Sequence, residues 1–146
     1  MKVGNWPQVA SIFRNLDRNK VHHLARLEFN FVEYQLKARE EQKMLLEGLK
    51  ENQSVTRLNL SSNCLGTEST QALSVVLRGD ESQLMVLDLS SNQLGDGDVE
   101  TLGATMGRNQ KIISLDLRMN STSVESEAMD KIEAMLHKNE LALRQD

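Results

Sequence analysis

Three stretches of this chain carry the same residue types at the same places. Val55-Thr-Arg-Leu58-Asn-Leu60-Ser-Ser-Asn63-Cys-Leu65-Gly66 returns as Leu84-Met-Val-Leu87-Asp-Leu89-Ser-Ser-Asn92-Gln-Leu94-Gly95, and again as Ile112-Ile-Ser-Leu115-Asp-Leu117-Arg-Met-Asn120. Each follows L-x-x-L-x-L-x-x-N, with valine or isoleucine replacing the first leucine in two copies. The asparagines lie 29 and then 28 residues apart. A weaker copy precedes them at Leu24-Ala-Arg-Leu27-Glu-Phe29, where Val32 stands in place of the asparagine. A unit of this size cannot bury its own apolar face, so the units must stack into an array.

Each position has a physical reason. Alternation in the strand puts Leu58 and Leu60, Leu87 and Leu89, and Leu115 and Leu117 on one buried face of a parallel sheet. The carboxamides of Asn63, Asn92 and Asn120 both donate and accept, so they suit the inward turn after each strand and are expected to form a structural ladder. Gly66 and Gly95 suit the exit toward a helix. Apolar anchors then recur four residues apart, as Leu73 and Leu77, Leu102 and Met106, and Ile132 and Leu136, a spacing that keeps each pair on one helical face. The last set fits if Ser121-Thr122-Ser123 carries a two-residue insertion. The spacing predicts helices over 8–18, 36–51, 67–78, 97–108 and 125–139, and strands over 24–29, 55–60, 84–89 and 112–117. As domains, this is one unit over 1–146: a cap helix in 1–23, repeats at 24–54, 55–83, 84–111 and 112–140, and a tail at 141–146.

Composition supports an array and excludes several functions. There are 22 leucines among 146 residues, and the five aromatics, Trp6, Phe13, Phe29, Phe31 and Tyr34, all precede residue 35. Such a core depends on many equivalent contacts rather than a few large rings. A net charge of -4 with interspersed signs is no footprint for nucleic acid, and the later repeats have no aromatics for stacking on bases. The single Cys64 forms no internal disulfide and fits a reducing compartment. No apolar run approaches a membrane span, and the N-terminus lacks the apolar stretch of a signal peptide, so the expected location is the cytoplasm.

Catalysis has no visible support. His22 and His23 are adjacent and point to opposite sides of a strand, His137 falls on the last helix, and no nucleophile stands beside a base. Neither H-E-x-x-H nor an acidic calcium loop occurs; Asp96-Gly97-Asp98 reads as a loop and helix cap. Phosphate-binding glycine loops are also missing. No enzyme activity, metal or cofactor is expected.

The repeated pattern resembles the leucine-rich repeat, and its period is similar to the ribonuclease-inhibitor-like subfamily. That resemblance implies an α/β fold, a leucine-rich-repeat solenoid: a short right-handed βα arc with a parallel sheet on the concave side and helices on the convex side. The stretch Leu45–Leu60 looks like the helix-to-strand junctions of tropomodulin-type repeats. The last unit, Leu115-Asp-Leu117-Arg118 with Glu125-Ser-Glu127-Ala128 and a charged helix, is similar to the closing repeat of the leucine-rich-repeat subunit of the axonemal dynein regulatory complex. Both resemblances imply a cytoskeletal scaffold, the second one in a ciliary axoneme.

In such a fold the variable strand residues face the concave side. Here they are Arg26 and Glu28; Arg57, Asn59 and Ser61; Val86, Asp88 and Ser90; and Ser114, Asp116 and Arg118. They are candidate protein-binding residues or solvated polar positions. Asp88 and Asp116 are expected side by side, about 5 Å apart, with Arg57, Arg118 or a basic partner neutralising them. Trp6 and Phe31 are read as building an N-terminal cap or as protruding into a partner. The resulting expectation is a non-enzymatic interaction scaffold within a multi-subunit assembly, binding protein and neither nucleic acid nor membrane; the alternative is a regulator that activates a small GTPase or inhibits an enzyme. Four repeats are near the minimum for a solenoid, which suggests a subunit completed by something larger.

Overall fold

The computed structural model describes residues 46, 48–50, 52–123 and 126–145, and the backbone of 26–28. Four short strands, β1 (Arg26–Glu28), β2 (Arg57–Asn59), β3 (Val86–Asp88) and β4 (Ser114–Asp116), form one parallel sheet in the order β1-β2-β3-β4. Helix α1 (Thr67–Arg78) joins β2 to β3, α2 (Asp96–Met106) joins β3 to β4, and α3 (Glu127–Leu143) follows β4. Parallel neighbours require a crossover of this kind, and the 28- to 29-residue period supplies one strand and one helix per turn.

Equivalent residues of successive repeats are direct partners across the sheet. Leu27, Leu58, Leu87 and Leu115 share one row. Helix residues Leu73, Leu77, Val99, Leu102, Met106 and Ile132 close over the buried side, with the loop leucines Leu65 and Leu94 between them. Gly103 of α2 faces Ala128 of α3, where a Cβ would sit in ordinary contact at 3.4–3.8 Å. The exposed sides of the helices are mostly polar, with Val75, Leu141 and Leu143 as apolar exceptions.

The strands are shorter than the six residues expected. Backbone bonds from Leu60 to Asp88 and from Met85 to Thr56 continue the pairing on either side, so the difference is one of boundary. Helix α3 runs four residues beyond its expected end at 139, to Leu143. The expected helix over 8–18 lies outside the described residues; of that over 36–51, Leu46, Gly48 and Leu49 are seen to be helical.

Asparagine side chains link the repeats. Asn92 Oδ1 accepts from the N–H groups of Asn63 (2.9 Å) and Leu65 (3.0 Å), while its Nδ2 donates to the carbonyls of Leu60 and Leu89. Asn120 repeats the arrangement one turn on, accepting from Asn92 and Leu94 N–H and donating to Leu89 and Leu117. A second column, not anticipated from the repeat pattern, lies at the helix-to-strand junctions. Asn52 Oδ1 accepts from Ser54 and Val55 N–H, and Asn109 Oδ1 from Lys111 and Ile112 N–H. Asn109 and Asn139 then donate to carbonyls of the preceding junction, Leu77 and Asn109 respectively. The recurring Asn-Gln-x-(Val/Ile) at 52–55 and 109–112 is the signal for it. The intervening repeat has the exposed Glu81 at the equivalent position, and Lys111 Nζ reaches across to the carbonyls of Asp80 and Ser82.

Candidate protein-binding surface

The side of the sheet opposite the leucines is open. Its residues fall into two rows set by the strand register: Arg26, Arg57, Val86 and Ser114, and then Glu28, Asn59, Asp88 and Asp116. Arg57 and Ser114 are exposed, whereas Asn59, Val86, Asp88 and Asp116 are half-buried. For Arg26 and Glu28 the backbone alone is described. Trp6 and Phe31 lie outside the described residues.

The second row is not a set of free handles. Asn59 Oδ1 accepts from the N–H and hydroxyl of Ser61, at 2.9 and 2.7 Å, and Asp88 Oδ1 does the same with Ser90. Asp116 Oδ1 likewise accepts from the Arg118 N–H at 3.0 Å. Each carboxylate or amide thus caps its own strand exit, as short polar side chains do in local turns. The chain just beyond turns sharply, with Ser62, Ser91 and Met119 at φ of 55° to 58°. The left-handed conformation falls on these residues and on Cys64, whereas Gly66 and Gly95 have negative φ and serve as helix caps. Asp96 likewise begins α2 instead of capping it; Gly95 is the cap, and Asp98 reaches back to accept from its N–H.

Of the two candidate neutralising arginines, Arg118 is the one engaged. Its Nε and Nη2 grip both Asp116 oxygens, with Nη2 to Oδ2 at 2.5 Å. Hydrogen bonding from the Arg118 side chain is the main reason the Asp116 carboxyl is held below the usual aspartate range, and the same bond raises Arg118. The Arg57 side chain has no hydrogen-bond or ion-pair partner among the described residues. Because the folded carboxyl titrates lower than the unfolded one, the pair supports the fold above the unfolded value of about 4 and loses that contribution as pH falls through the folded value. In an NMR titration, Asp116 is therefore expected to have a lower midpoint than in the urea-unfolded chain, and Arg118→Gln to remove most of the difference. Coincident midpoints in the folded and unfolded chain would contradict this assignment. Added salt should shrink the gap, since the guanidinium is solvated.

Among the described residues there is no cluster of His, Cys, Asp and Glu able to hold a metal ion, and no helix long and apolar enough to cross a membrane. Asn52, the start of an Asn-Gln-Ser sequon, is 2% exposed and committed to its junction.

The family model for leucine-rich repeats matches residues 51–74 and 83–103, which span the β2 and β3 repeats. The fold is a leucine-rich-repeat solenoid. Residues of the chain are 38% identical, over 77 positions, to the mouse (Mus musculus) NACHT, LRR and PYD domains-containing protein 5; the match covers 53% of this chain and 7% of that much longer protein. Among solved structures, the leucine-rich-repeat fold here superposes on Leiomodin-1 Actin-Binding Site 2 with a TM-score of 0.72 at 13% identity, covering 98% of this chain and 94% of that one. It also superposes on the tropomodulin C-terminal domain of Caenorhabditis elegans with a TM-score of 0.66 at 13% identity, covering 97% and 96%. At such identity the likeness is one of fold, in keeping with the tropomodulin-type repeats that the sequence resembles.

Proposed function

We propose that this leucine-rich-repeat chain is a non-enzymatic interaction module of the cytoskeleton that holds a protein segment or helix across the open face of its sheet. The observation that carries this reading is the register-locked face itself. Backbone pairing holds Arg57, Val86 and Ser114 in a row, so little backbone entropy is left to lose on binding. A polar rim around a less polar centre suits protein recognition. The shared fold with leiomodin-1's actin-binding site supports a cytoskeletal setting, and the resemblance of the last repeat to the axonemal subunit supports the ciliary axoneme within it.

The test is capture of partners from extracts of actin cytoskeletons and of axonemes, with substitutions that leave the turns intact. Asp88 and Asp116 are poor choices because each caps a strand exit; Arg57→Glu with Ser114→Arg changes charge at exposed positions instead. The double variant is expected to lose a cytoskeletal partner by about tenfold or more in affinity. Val75→Asp, on the convex side, should not. Recovery of the same proteins by both variants would rule out the open face. A changed rate of GTP hydrolysis by a small GTPase on adding the chain would replace the scaffold reading with a regulatory one.

A further inference from the structure

The outer side of the helical layer repeats as regularly as the sheet. Two positions beyond the buried anchors Leu73, Leu102 and Ile132 come Val75, Ala104 and Ala134, all exposed. On α2 and α3 an acid stands four residues before this point, Glu100 or Asp130, and a base four residues after it, Arg108 or Lys138. Helix α1 has the same order at a different spacing, with Glu68 before Val75 and Arg78 after it. All six charged residues are exposed. Gly107 keeps a helical backbone just past α2, so Arg108 continues the outer side of that helix.

The helix macrodipole favours acids early and bases late in a helix, but it leaves these charges unpaired. Glu100 and Arg108 are eight residues apart, as are Asp130 and Lys138; that is about 12 Å along the axis, too far to pair within one helix. Glu127 and Lys131, four apart on α3, do pair at 2.6 Å. Neighbouring helices do not help, because equivalent points carry like charge: Glu100 matches Asp130, and Arg108 matches Lys138. Among the described residues, the side chains of Glu68, Glu100, Arg108, Asp130 and Lys138 have no hydrogen-bond or ion-pair partner, and Arg78 donates only to the Ser74 carbonyl of its own helix.

We infer that this face packs against the same face of a second copy of the chain, about a two-fold axis running along Val75, Ala104 and Ala134. Rotation about that axis lays each helix antiparallel to its own counterpart. Glu100 then meets the partner's Arg108 and Asp130 meets the partner's Lys138, each pair occurring twice, while Glu68 and the partner's Arg78 attract across a wider gap. Such a contact is isologous, and it closes at two copies. Alanine at the centre of α2 and α3 permits a close approach of the paired helices, whose macrodipoles are then opposed. Each sheet faces outward. On the reading proposed above, the dimer therefore offers two open faces to a cytoskeletal assembly and is a bivalent scaffold.

The test is sedimentation equilibrium of the full chain from micromolar to millimolar concentration. A concentration-dependent dimer is expected, weakened by added salt. Glu100→Lys and Arg108→Glu should each raise its Kd about tenfold, since attraction becomes repulsion at two symmetric pairs. Mixing these two variants should restore dimerisation as a heterodimer, and so should both changes in one chain. Urea midpoints close to that of the native chain are expected for all of them, because the changed residues are exposed. Arg57→Glu/Ser114→Arg, on the sheet, should dimerise like the native chain. Val75→Asp should weaken the dimer and still hold an open-face partner, so failure of this contact is distinguishable from failure of the open-face reading. A chain that stays monomeric throughout, a dimer indifferent to the single charge reversals, or single variants that do not restore it on mixing would overturn the proposal.

Discussion

Replacing Asn92 with alanine is expected to cost about 3–5 kcal/mol of stability, because its carboxamide serves two repeats at once. The substitution strands the N–H groups of Asn63 and Leu65, which donate to its oxygen, and the carbonyls of Leu60 and Leu89, which accept from its nitrogen. Asn92 is 8% exposed, and its bonds to Asn63, Leu65, Leu60 and Leu89 are all buried, so water cannot readily replace it. An unmet buried group costs about 1–3 kcal/mol, and a domain of this kind has about 5–15 kcal/mol in total. The companion Asn120→Ala should cost about half as much, since Asn120 is half-buried and faces the open end. Urea unfolding of the two variants measures the contrast. Equal losses would mean that the greater burial of Asn92 does not set the cost of losing its bonds.

The second large effect is expected in the leucine layer. Leu89→Ala should lose about 3–4 kcal/mol, the transfer cost of a fully buried side chain plus that of the cavity it leaves. Leu89 is 0% exposed and lies between the Leu60 and Leu117 layers. Leu115→Ala should lose about 1–2 kcal/mol, because a half-buried side chain has less area to lose and solvent can enter the gap. Urea midpoints of the two variants, with unchanged slopes, provide the comparison. A loss at Leu115 as great as at Leu89 would show that the β4 end is covered, in conflict with its open edge.

Much of the architecture was legible because a stacked repeat makes local and tertiary information coincide. Leu58, Leu87 and Leu115 are equivalent in sequence and are neighbours in space for the same reason: one period is one turn of the solenoid. The second asparagine column was harder to see, since Glu81 interrupts it and Asn52 invites a reading as a sequon. Its meaning depends on which carbonyls lie one turn away.

The candidate surface shows the same division. That Asn59, Asp88 and Asp116 share a row follows from spacing. That each side chain bends onto its own strand exit follows only from the turn geometry, which brings the i+2 N–H within reach of the oxygen. The choice of Arg118 over Arg57 as Asp116's partner is likewise local, two residues along the same chain rather than across the sheet.

By itself, then, the sequence determined the period, the alternation of strand and helix, and the side of each strand that is buried, because these depend on residue spacing alone. The tertiary structure decided which polar groups are already used and which remain open. Hydrogen-bond partners are set by distances between turns, which residue spacing alone does not give.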